Sequence, residues 1–100
     1  MIIDSHVHRY SEEVLADPVG WAGRRGEQAW LALHVDRENR RSSPLPQRDQ
    51  LLADMDAAGI DRAVLLGWYW ENADTCEEQN GWYRRWLKES PDRLSAFAAV

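Results

Sequence analysis

Apolar and polar residues alternate in two different ways along this chain. Ile2 to Val7 is a short apolar run broken by Asp4 and His6, which predicts a strand with one side turned toward a functional interior. The pattern then weakens from Arg9 to Pro46. Within that stretch Ser11 can cap a short helix running through Ala16, and Glu27 to Val35 supports another turn or two. Arg37 to Pro46, with its arginines, serines and prolines, predicts a loop. Residues 9 to 46 therefore look like a long loop or insert after the first strand.

Periodicity returns at Gln47. Leu51, Met55 and Ala58, with Leu52 beside them, form one apolar face of a helix over Gln47 to Ala58, and Gly59 is placed to end it. Ala63 to Leu66 is an uninterrupted apolar run, as expected of a parallel strand covered on both faces. Asp74 or Thr75 can cap the next helix, with Glu77 and Glu78 in capping-box register. That helix places Gln79, Tyr83, Trp86 and Leu87 on one side and stops before Pro91, and Leu94 to Val100 reads as a third strand. The order strand, excursion, helix, strand, helix, strand is a parallel α/β pattern. It suits a doubly wound sheet or a (β/α)₈ barrel equally.

Composition narrows the function more than the fold. With 12 Lys and Arg against 17 Asp and Glu, the net charge of −5 argues against nucleic acid or an anionic membrane as partner and leaves a small-molecule substrate. The start, Met-Ile-Ile-Asp-Ser-His, lacks the basic and apolar segments of a signal peptide, and no apolar run approaches a membrane span of about 20 residues. Cys76 is the single cysteine, so no intrachain disulfide forms and the cytoplasm is the expected compartment. Six tryptophans are unusual for a chain of 100 residues.

The chemistry concentrates at the first strand. Asp4, His6 and His8 share parity there, so three side chains are expected on one face, where two imidazoles at i and i+2 can converge on one metal ion. Asp4 is placed to orient a ring as a supporting carboxylate. A His-x-His pair alone is weak evidence, and two histidines near a strand end also arise by chance. Position strengthens the metal reading, because the C-terminal edge of a parallel sheet is where such folds build their sites.

Ile3-Asp4-Ser5-His6-Val7-His8 resembles the first-strand signature of the amidohydrolase superfamily. Leu52 to Leu65 is similar to the first helix and second strand of the branch that includes aminocarboxymuconate-semialdehyde decarboxylase, and Pro91 to Val100 is similar to the turn into its third strand. The likeness excludes residues 9 to 46. Phosphoesterases of the polymerase-and-histidinol-phosphatase type share the motif but continue differently from Arg9-Tyr10-Ser11, and TatD-type nucleases fit Pro91-Asp92-Arg93 less well. The resemblance implies an α/β chain forming strands one to three, the N-terminal part of a single TIM-like (β/α)₈ barrel domain, truncated at residue 100 and inactive alone.

Under that resemblance His6 and His8 are metal ligands, zinc being preferred and manganese the second choice, and Asp4 supports them. The implied reaction is hydrolysis of a small amide, ester or lactone by a metal-activated water. Nonoxidative decarboxylation in the same branch is the alternative, and a non-catalytic small α/β module is the alternative of another class. Catalytic residues are expected beyond residue 100. Gly67 to Asn72 follows the second strand at the same edge, so Trp68, Trp70, Glu71 and Asn72 are candidates to bind substrate, or else to pack between loops or at a subunit contact. An uncovered third strand leaves association into a homo-oligomer open. His34 reads as an ordinary packed or surface histidine. Arg37, Arg40, Arg41 and Arg48 read as a solvated loop or as a lure for a carboxylate, and Cys76 as a helix residue or a thiol of lowered pKa. Trp82, Tyr83 and Trp86 read as packing residues.

Overall fold

The computed structural model describes residues 1–35 and 45–99, and Arg37, Arg40 and Arg41 of the expected loop lie outside them. Eight elements follow in order: β1 (Ile3–Val7), α1 (Glu12–Ala16), α2 (Pro18–Arg25), α3 (Gln28–Val35), α4 (Leu51–Ala58), β2 (Arg62–Leu65), α5 (Ala73–Glu89) and β3 (Leu94–Ala96). The strands form one parallel sheet in the order β1-β2-β3. The fold is thus a small mixed α/β arrangement of three strands and five helices among the described residues. None of those helices is long and apolar enough to cross a membrane.

The weakly patterned stretch after β1 is mostly helical as far as Val35. Ser11 caps α1, its hydroxyl accepting from the Val14 amide at 3.4 Å, as its residue type predicts. The helix α2 was not expected, because Gly20 and Gly23 lower its propensity and blur its periodicity. Its ends are nevertheless well marked. Asp17 caps the start, accepting from Gly20 N at 3.1 Å, Pro18 sits in the first turn, and Gly26 closes the helix in the left-handed region at φ 71°.

This excursion and α5 together supply most of the core. Trp21 and Trp30 are 0% and 1% exposed, and Trp70, Trp82 and Trp86 are buried with them. Trp21 meets Trp70 edge-on with centroids 5.3 Å apart and lies 5.8 Å from both Trp30 and Trp82, while Trp86 is 6.1 Å from Trp82. Five of the six tryptophans are therefore one contiguous cluster, which accounts for their number.

The sheet is covered on one face. Ala63, Leu65 and Leu94 are buried beside Met55 of α4 and Tyr83 and Trp86 of α5. Ile3 and Ser95, on the register of Arg62 and Val64, are exposed, so the expectation of a second strand covered on both faces is not met. On α4, Met55 is buried and Leu51 and Leu52 half-buried, but Ala58 is exposed. That helix begins at Leu51 rather than Gln47 because Asp49 is engaged elsewhere. Its carboxylate accepts from Leu51 N and from the Arg9 guanidinium, and its amide donates to Glu12 Oε1. Gly59 ends α4 as expected, at φ 70°.

Two further expectations are corrected. The helix α5 starts after Asn72, with Asp74 and Thr75 already inside it, so the capping-box placement fails. Glu78, the box's acid for Thr75, instead accepts from Arg25 at 2.6 Å and from the Trp21 indole at 3.2 Å. The strand β3 ends at Ala96, not Val100, because Asn80 of α5 takes the chain out of the ladder. Its side-chain amide accepts from Ala99 N at 2.8 Å and donates to Ala99 O at 2.9 Å, imitating a strand partner.

Candidate functional site

His6 and His8 emerge at the C-terminal end of β1, both exposed, with their Nε2 atoms 3.3 Å apart. The partner of His8 Nδ1 is the Leu66 carbonyl at 2.8 Å. A carbonyl only accepts, so Nδ1 carries the proton and Nε2 of His8 presents its lone pair toward His6. The same carbonyl accepts from the Tyr83 hydroxyl at 3.0 Å, which anchors it to α5. Burial first, and Tyr10 second, push the Tyr83 phenol well up, so it remains a donor.

This geometry fits a metal. Two nitrogens bound at about 2.0–2.1 Å with a tetrahedral angle between them lie roughly 3.3–3.4 Å apart. The spacing of His6 and His8 matches that, and the Leu66 carbonyl is the outer partner that a ligating histidine ordinarily has. Among the described residues no cluster of three or more His, Cys, Asp or Glu side chains surrounds the pair.

Asp4 does not join the two rings. It pairs in register with Ala63 and Val7 with Leu65, a three-residue step opposite a two-residue step. Parallel partners point to the same side of a sheet, so this irregularity puts Asp4 with Val7 on the covered side and breaks its parity with the histidines. Its Oδ1 accepts from the His6 amide at 3.1 Å. The supporting role expected of Asp4 at a ring nitrogen is filled by Leu66.

The loop after β2 divides. Trp68 lies edge-on to His8 at 6.0 Å and to His34 at 5.0 Å, so it walls the site. It is held there by Gln79 of α5, whose Oε1 accepts from Trp68 N at 3.0 Å and from the Trp70 indole at 2.8 Å. Gly67 permits this approach, since a Cβ there would lie 2.2 Å from Gln79 Nε2.

Trp70, Glu71 and Asn72 turn away from the histidines. Trp70 belongs to the tryptophan cluster, and Glu71 accepts from Gln28 N at 3.2 Å. Asn72 donates to Arg25 O at 2.8 Å. These residues instead dock on Glu27, a carboxylate only 1% exposed, which accepts from Glu71 N at 2.8 Å, Asn72 N at 3.1 Å and Asn72 Nδ2 at 3.2 Å. Glu27 thus satisfies amides at the entrance to α5, in place of a capping side chain. Its carboxylate had no signal in sequence beyond its place before an apolar stretch. Tyr69 is exposed, as is Arg48, and Cys76 is buried.

His34 is the residue whose importance was least visible. It comes in from α3 and packs against Trp30, Trp68 and Tyr10, with centroids 5.0, 5.0 and 6.2 Å away. Burial, and then the charge of His8, hold its pKa below the ordinary histidine range. Tyr10 is raised by burial, partly offset by the Trp30 indole that donates to its hydroxyl at 3.2 Å. His8 and His34 share a cavity of about 260 Å³. Arg9 reaches its wall from the β1 end, paired with Asp49 and stacked 4.3 Å over Trp86.

No family model, no curated protein and no solved structure compared with this chain matches it.

Proposed function

We propose that the chain carries strands one to three of an amidohydrolase-type (β/α)₈ barrel and acts in metal-dependent hydrolysis of a small amide, ester or lactone. The observation that carries the reading is the His6–His8 pair, with Nε2 atoms at ligand spacing and one tautomer fixed by Leu66. Consecutive parallel neighbours β1-β2-β3 are the order that a barrel uses, and the pair sits at the strand ends where barrels place their chemistry. A bound divalent ion, zinc first and manganese second, would draw a nucleophile from water near neutral pH and polarise a substrate carbonyl.

The chain's own groups have defined tasks in that reading. Leu66 and Tyr83 orient His8, Gln79 holds the loop that carries Trp68, and Trp68 stands edge-on beside the His8 ring. The same nitrogen spacing also accommodates an N–H···N hydrogen bond between the rings, the arrangement a non-catalytic module would keep. Zinc content separates the two. The purified protein should take up zinc, and the double replacement His6→Ala with His8→Ala should lose it while the circular dichroism stays unchanged. Equal zinc stoichiometry in the two proteins ends the metal reading.

A further inference from the structure

We propose that the cavity shared by His8 and His34 binds a small, uncharged, largely apolar carbonyl compound, with the His34 imidazole as the group that hydrogen-bonds it. This deepens the reading above by naming the class of substrate, and it rests on that reading only for the role of the bound molecule.

Four observations lead there. Leu15, Leu45 and Leu51 give the cavity apolar walls, and its volume of about 260 Å³ lies just below the usual range of ligand pockets. Into this surface projects His34, whose Nε2 is buried without a hydrogen-bond partner among the described residues. Buried polar nitrogens are rarely left so, and one lining a cavity beside a candidate centre is suited to a ligand's carbonyl or amide. Charge then decides between a neutral and an anionic ligand. Among the described residues the guanidinium at this cavity is that of Arg9, and it is already paired with Asp49 and stacked on Trp86. Asp54 adds a further carboxylate to the lining, so a carboxylated ligand meets repulsion where a neutral one does not.

The test is a titration of the full chain, ¹⁵N-labelled and stripped of metal with EDTA, with benzamide and separately with benzoate. Benzamide should bind saturably, moving the His34 ring nitrogens and the Leu15 and Leu51 amides, and benzoate should bind at least tenfold more weakly. In His34→Phe, which keeps a flat ring against Trp30, benzamide affinity should fall about tenfold, the factor for one lost hydrogen bond. Absence of any shift at His34 in the wild-type protein overturns the proposal, as does equal benzamide affinity in His34→Phe. Benzoate binding as tightly as benzamide also overturns it. A zinc titration of the same samples keeps the two readings apart. Benzamide binding without zinc uptake upholds this proposal and sinks the metal reading, and zinc uptake without benzamide binding does the reverse.

Discussion

The helices α1 to α3 and the three-stranded sheet differ most in what surrounds their side chains. Trp21 and Trp30 of the helical excursion are essentially sealed from water, whereas Ile3 of β1 is 54% exposed and Phe97, just past β3, is 65% exposed. The sheet buries one face, on Ala63, Leu65 and Leu94, and the aromatic layer buries side chains in all directions. The regular elements thus set the order of the strands, and the irregular stretch supplies part of the apolar area that holds them. Packing energy follows buried area rather than regularity of pattern.

That contrast breaks most sharply at Trp21. Trp21→Ala should cost about 3–5 kcal/mol, as for other large buried aromatics, a large part of a stability of roughly 5–15 kcal/mol for a typical domain. Phe97→Ala should stay within about 0.5 kcal/mol. Urea unfolding followed by far-ultraviolet circular dichroism measures both. Equal effects would mean that the sheet, not the aromatic layer, carries the fold.

Glu27 joins the two regions, so its loss is the next test. Glu27→Ala leaves the Glu71 and Asn72 amides without their acceptor and should cost about 1–3 kcal/mol. Faster hydrogen exchange should be confined to the entrance of α5. Exchange that rises uniformly through the chain would show that Glu27 does not act locally. Gly67→Ala should cost about 1–3 kcal/mol by overpacking against Gln79 and should release Trp68 from the histidines, read as altered Trp68 fluorescence. A variant as stable as the parent would mean that Gln79 moves freely.

The smallest expected effect is a pH dependence. His34 is held below its unfolded value by burial and then by His8, so the folded state favours its neutral form. The unfolded chain then binds more protons in that window. The contribution is complete above about pH 6.5 and declines as the pH falls toward the folded pKa, below which both states are protonated. The unfolding midpoint of wild type should fall relative to that of His34→Phe on acidification through that range. A difference that does not vary with pH would place His34 in a more solvated setting.

Much of the sheet and α4 to α5 was legible because apolar runs, a C-terminal glycine and helical spacing all agreed. Gly59 ends α4 and Pro91 follows α5 as read, though strand and helix ends shifted by a few residues. What escaped depended on side chains acting at a distance. Asn80 truncates β3, Asp49 is held before α4 by Arg9 and Glu12, and Glu27 replaces the local cap of α5, each across a sequence gap that no local pattern reveals. The helix α2 is a different case: Asp17-Pro18 and Gly26 marked its ends, but glycines obscured its face. At the site, strand parity placed His6 and His8 together correctly and failed for Asp4, because alternation holds only while the register is unbroken. Of the loop after β2, Trp68 reached the histidines, and Trp70, Glu71 and Asn72 were drawn to the helices.

The grouping of the tryptophans gives the molecule two optical voices. Trp21, Trp30, Trp70, Trp82 and Trp86 lie ring to ring, close enough for their transitions to couple. A strong near-ultraviolet dichroic band should therefore report the helical layer as a unit and vanish when that layer loosens. Trp68 stands next to His8 and His34, and protonated imidazoles quench indole emission, so its light answers to the histidines. One unlabelled sample can then report the framework through absorption of polarised light and the site through emission, at the same time.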